Sequence, residues 1–192
     1  MKRLWLYYVY LLLVWGSFRY FIRLPDAIEE LWFKPLLWLL PLFWWNLALK
    51  KKVEMFENQW LETVLWGLGL AIIYWLLVRR LNFGLPNIDL NVAGISVATA
   101  IVEEMTFSGF ITGYLDRYYK GSIFNPMLTG ALAAVIRLPI VIFVYKLDPL
   151  TILGILLLVA SSTMMNAWVR QRTGNVTGSI IARVGLNLAL LS

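Results

Sequence analysis

Two adjacent glutamates, Glu103 and Glu104, stand in the middle of an apolar run, and Arg137 and Arg183 stand in two later ones. A charge at such a place costs roughly 2.5–3.5 kcal/mol on membrane-insertion scales, so isolated examples are rare. Two acids and two bases sum to zero, which leads to the expectation that the four meet inside a helix bundle. Consecutive helical residues point about 100° apart, so the two carboxylates face different neighbours. Glu104 shares a helix face with Ser108 at i,i+4, and Arg183 shares one with Asn187. Carboxylates can take a proton, and guanidinium and amide groups can donate to a developing negative charge. Such a convergent polar cluster in apolar surroundings is the usual pattern of a buried site. A structural ion-pair network would look the same in sequence.

Composition narrows the chemistry. The 192 residues include no Cys and no His, which removes thiol catalysis, disulfides and the commonest general base and metal ligand. No metal site and no cofactor is expected, since two adjacent carboxylates without His make a poor transition-metal site. Hydrophobic residues are 60% of the chain and charged residues 15%, well away from the roughly 45–50% and 25% of soluble domains. The chain therefore reads as an all-α polytopic membrane protein. Its formal charge of +6 comes from short basic clusters between apolar runs, such as Lys50, Lys51 and Lys52. That is a topology signal, so no nucleic-acid partner is expected.

A bilayer core about 30 Å thick takes roughly 20 helical residues to cross. That rule gives about seven transmembrane helices, near 4–23, 31–49, 60–79, 91–115, 123–145, 150–169 and 175–191. The first reads as an uncleaved anchor, since no small-residue cleavage site follows it. Counting Lys and Arg in the connections gives nine on the N-terminal side against six on the other, which favours the N-terminus inside. Nine of the ten Trp precede residue 85 and nine of the thirteen Gly follow residue 90. We therefore divide the chain into 1–85, an aromatic-rich, lipid-contacting outer layer, and 91–191, a close-packed four-helix core. Leu81 to Asn91 is the expected hinge. Gly109 and Gly113 have the spacing of a helix-packing pair. Arg19, near the end of the first span, is expected to snorkel to the interface.

Three segments, in order, resemble the motifs of the CPBP family, the CAAX proteases and bacteriocin-processing (Abi) enzymes. Glu103-Glu104-Met105-Thr106-Phe107-Ser108-Gly109 is similar to the first, a Glu pair followed by Phe, Arg and Gly. Ala133 to Pro139 is similar to the second, an apolar helix ending in His and often Pro. Thr173-Gly174-Asn175-Val176, leading to Arg183 and Asn187, is similar to the third, a Thr-Gly turn before a helix with His and Asn. The resemblance covers 91–191 and implies a CPBP-like core in which Glu103 is the base that activates water, Glu104 its neighbour and Asn187 an oxyanion donor. Both family histidines are arginines here, Arg137 and Arg183, and the first motif's Arg is Ser108.

Arg cannot accept a proton at working pH. Arg137 beside Glu103 would hold that carboxylate in an ion pair and weaken it as a base. The leading expectation is thus a degenerate intramembrane protease site, non-hydrolytic, in which Arg137, Arg183 and Ser108 help bind a peptide, a lipid or a partner protein. The alternative is an atypical glutamate-dependent endopeptidase. A transporter is the third class, unsupported by any evident inverted repeat. Ser108 is expected to hydrogen-bond locally, with no adjacent base to make it a nucleophile. The expected location is a prokaryotic inner membrane.

Overall fold

In the computed structural model, residues 1–22, 24–49, 51–57, 59–81 and 89–191 are described. Most of the expected hinge, residues 82–88, lies outside them. Seven main helices follow the seven expected spans. They are α1 (Lys2–Phe21), α2 (Lys34–Leu47), α3 (Trp60–Leu81), α4 (Leu90–Glu104), α5 (Phe124–Val135), α6 (Pro149–Thr173) and α7 (Thr177–Leu191). A π-helical turn, Glu29–Phe33, leads into α2. A second, Met105–Thr112, continues α4 and ends in the short turn Gly113–Leu115; a third, Ile140–Val144, follows α5. Among the described residues, four helical stretches are long and apolar enough to cross a bilayer: Trp60–Val78, Leu90–Leu115, Phe124–Val144 and Pro149–Thr173. The protein is an all-α integral membrane protein.

Local chemistry explains the helix ends. Asp148 starts α6 by accepting hydrogen bonds from the Leu150 and Thr151 amides, both at 3.0 Å, with Pro149 at the first helical position. The same helix stops at Gly174, whose φ of 71° is the left-handed cap that glycine adopts without strain. Asp89 caps α4 through the Val92 amide at 2.7 Å.

Burial follows the helical period. Leu4, Tyr7, Tyr8, Leu11 and Trp15 form the inner face of α1. Trp15 meets Trp38 edge to face at 5.6 Å, and Trp38 meets Phe107 at 5.9 Å. These rings correct the expectation that the first-half tryptophans contact lipid. Trp32 and Trp44 are exposed, whereas Trp15 and Trp38 are buried in the core.

The expected outer layer and inner bundle also interpenetrate. Helix α3 lies along α7, brought close by small residues: a Cβ on Gly67 would come within 2.7 Å of Gly178 Cα, and one on Gly185 within 2.6 Å of Ala71 Cβ. The Gly109 and Gly113 face admits close neighbours as expected, although these are not another helix backbone. They are Met55 and Val53 of the segment between α2 and α3, together with the Arg170 side chain.

Helix α6 is polar on its inner side. Ser162, Thr163, Asn166, Arg170 and Thr173 are all buried. In lipid, that places the polar groups where partners satisfy them and leaves the apolar face outward.

Candidate functional site

Glu103 and Glu104 occupy the last turn of α4, just before its backbone widens into the π-helical stretch, and both are buried. π-Helical insertions within α-helices occur frequently at functional sites. The two carboxylates face different partners, as expected from their 100° offset. Glu104 Oε2 accepts the Ser108 hydroxyl at 2.5 Å, and Oε1 accepts Asn166 Nδ2 at 2.9 Å. Arg183 Nε lies 3.1 Å from the same Oε1, an ion pair without hydrogen-bond alignment. The Tyr74 hydroxyl is 3.1 Å from both Asn166 Oδ1 and the Ser162 carbonyl, so it orients the asparagine that holds Glu104.

Glu103 is surrounded by cations. Its Oε1 accepts Lys34 Nζ at 2.8 Å and also Arg137 Nη2, while Oε2 lies 3.3 Å from Arg183 Nη2. Lys34 in turn holds Glu30 Oε2 at 2.6 Å, and Glu30 accepts the Thr99 hydroxyl at 2.8 Å. The result is a network of three carboxylates, Glu30, Glu103 and Glu104, and three cations, Lys34, Arg137 and Arg183. Its formal charge is zero, which is what makes burial of so many ions tolerable. The Lys34 ammonium is further flanked by the Trp15 and Trp38 rings, at 5.8 and 5.4 Å from their centroids.

The expected partners therefore do meet: Glu103, Glu104, Arg137, Arg183 and Ser108 form one connected cluster. Asn187 stands one turn beyond Arg183, and its amide donates to the Ser96 carbonyl at 3.1 Å. Arg183 also donates to Ser162 Oγ at 3.2 Å and Thr163 Oγ1 at 2.9 Å. Sequence reasoning missed Lys34, Glu30, Asn166 and Tyr74. The i,i+4 spacing of Glu30 and Lys34 was a readable signal for the first two. Arg19 does not snorkel. It pairs with the buried Glu29, and its guanidinium lies 5.7 Å from the Trp15 ring centroid.

A cavity of about 310 Å³ opens beside the cluster. Arg137, Arg183, Asn187 and Thr99 supply polar lining, and Ile95, Leu158 and Leu186 supply apolar walls. Arg137 is 32% exposed, so one face of its guanidinium turns to this space while the other holds Glu103.

A family model described as type II CAAX prenyl endopeptidase Rce1-like matches residues 86–189. The chain belongs to that family. Comparison with curated proteins and with solved structures finds no match. The match spans α4 to α7, so the Rce1-like region carries Glu103, Glu104, Arg137, Arg183 and Asn187. Lys34 and Glu30 reach the cluster from outside the Rce1-like region. The protein is thus a CAAX-protease-like membrane protein, as the resemblance of its three segments implies.

Proposed function

We propose that this Rce1-like membrane protein is non-hydrolytic and uses its protease-like cavity to hold a peptide, a lipid or a segment of a partner membrane protein. The observation that carries this reading is the environment of Glu103. A general base must offer a lone pair to a water within hydrogen-bond reach. Here Oε1 already accepts from Lys34 and Arg137, and Oε2 faces Arg183. Arg cannot relay the proton. What remains is a cavity lined by Arg137, Arg183, Asn187 and the carboxylate Glu30 together with apolar residues such as Ile95 and Leu158, suited to an amphiphilic or extended ligand.

The second reading, an endopeptidase using Glu103, draws support from the partial exposure of Arg137. That side chain both contacts Glu103 and lines the cavity. The common basic end of the bundle, which carries Lys51, Lys52, Arg117 and Lys120, supports an orientation with that end and the N-terminus inside. We place the protein in a prokaryotic inner membrane.

The test is crosslinked affinity purification from native membranes with mass spectrometry, comparing wild type with Glu103→Gln/Glu104→Gln. A partner recovered intact from wild type, with no clipped product, is the expected result. A clipped partner in wild type that the variant traps whole would establish the endopeptidase instead.

A further inference from the structure

A second cavity, of about 720 Å³, is lined by the segment 51–57, the turn after Leu115 and the end of α6. We propose that it is a binding site for a phosphate-bearing anion at the membrane surface, of the kind an anionic phospholipid headgroup presents.

Two walls form it. One is the segment 51–57, which carries Lys51 and Lys52; the other is the turn after Leu115, which carries Arg117 and Lys120. Both walls are tied to adjacent residues at the end of α6. Arg170 Nη2 donates to the Glu54 carbonyl at 2.7 Å, and Gln171 Nε2 donates to the Ser122 carbonyl at 3.0 Å. The first wall is fixed further. The Asn46 side chain bonds the Val53 amide at 2.8 Å and its carbonyl at 3.1 Å, Val176 N donates to the Met55 carbonyl at 2.9 Å, and Asn175 Nδ2 donates to the Glu57 carbonyl at 2.7 Å. A connection this heavily tied is preorganised, which lowers the entropic cost of binding.

The charge is unbalanced there. Asp116 is spoken for: its Oδ1 accepts Asn125 and Gln171, each at 2.6 Å, and its Oδ2 pairs with Arg170 at 3.2 Å. That leaves Lys51, Lys52, Arg117 and Lys120 against Glu54 and Glu57. Among the described residues, none of those four cations has a carboxylate within ion-pair distance. Each basic residue near an anionic surface is worth roughly fivefold in affinity. Exposed lysines around a rigid, roomy depression suit a phosphate, whose oxygens take several donors at once.

The test uses the whole protein in nanodiscs of phosphatidylcholine with and without phosphatidylglycerol, with lipid retained per chain read by native mass spectrometry. Lys51→Gln/Lys120→Gln is compared with Lys2→Gln/Lys146→Gln, which removes equal charge elsewhere. In parallel, inorganic phosphate is titrated as a competitor. The expected result is preferential retention of phosphatidylglycerol by wild type and by the control, with the preference falling by about 25-fold in Lys51→Gln/Lys120→Gln. Retention that millimolar phosphate leaves unchanged identifies a lipid headgroup. Displacement by phosphate identifies a soluble phosphate ester at the same site. Equal retention of the two lipids together with no phosphate binding overturns the proposal, as does an equal loss in both variants.

Discussion

Lys34 Nζ lies 2.8 Å from Glu103 Oε1, joining residues 69 positions apart in the chain. The lysine comes from the aromatic-rich first half and the glutamate from the Rce1-like region, so the pair ties the Glu30–Lys34 turn of one half to the carboxylate cluster of the other. Glu103→Gln leaves Lys34, Arg137 and Arg183 without their shared anion. Breaking a buried pair from one side costs about 3–5 kcal/mol. The expected outcome is a clearly lowered thermal midpoint in detergent, and an unchanged midpoint would refute the network.

Replacing the two arginines by the histidines of the family pattern tests the chemistry directly. Arg137→His/Arg183→His restores a group that can exchange a proton beside Glu103 and removes two of the three cations holding it, leaving Lys34. Release of a terminal tripeptide from a prenylated CAAX peptide is expected from this variant and not from wild type, measured by chromatography of the products. Equal cleavage by both would show that the arginines do not block hydrolysis.

Ser108 donates to Glu104 at 2.5 Å. Ser108→Ala removes one hydrogen bond to a buried charged group, worth about 1.5–3 kcal/mol. Asn166 and Arg183 still hold Glu104, so the fold survives with a lower midpoint and partner capture persists. Loss of capture with an unchanged midpoint would give the hydroxyl a direct role.

Glycine at position 178 is a packing requirement. A Cβ there would sit 2.6 Å from Thr63 Oγ1, whereas one on Gly69 meets nothing within 4 Å. Gly178→Ala is expected to cost about 1–3 kcal/mol through overpacking of α3 on α7. Gly69→Ala is expected to cost nothing or to stabilise slightly, since Gly in a helix interior is unfavourable by about 0.5–1 kcal/mol. Parallel thermal unfolding of the two variants makes the comparison.

The start of α6 carries a pH dependence. Hydrogen bonds from the Thr151 side chain, then from the Thr151 and Leu150 amides, hold the Asp148 carboxyl below its ordinary value. A carboxyl lowered in the folded state contributes stability above its unfolded value, and the contribution is lost as pH falls through the folded one. Hydrogen-exchange protection at Leu150 and Thr151, taken relative to the intrinsic rate at each pH, should therefore fall as pH drops below the ordinary carboxylate range. Asp148→Ala should lack that protection at every pH.

The motif residues were legible because a charge in an apolar run is costly wherever it lies, and helical spacing alone pairs Glu104 with Ser108. Lys34 was harder to read. It stands near the edge of its apolar run, where a lysine ordinarily reaches water, and nothing local announces that Trp15 and Trp38 enclose it. The same limit applies to Trp38, since a tryptophan suits an interface as well as a core. Asn166 and Tyr74 are ordinary residues on two helices, made important only by the packing of α3 on α6 and of α6 on the π-helical stretch that continues α4.

Helix α6 holds Glu104 through Asn166 and, one turn further along, grips both walls of the basic depression through Arg170 and Gln171. Four residues of helix are about 6 Å. A rod gripped so closely at two points cannot rotate at one and stay still at the other. Twisting α6 at the depression would swing Asn166 off its carboxylate, so the rigidity of the basic depression and the order among the buried ions rest on the same stretch of one helix.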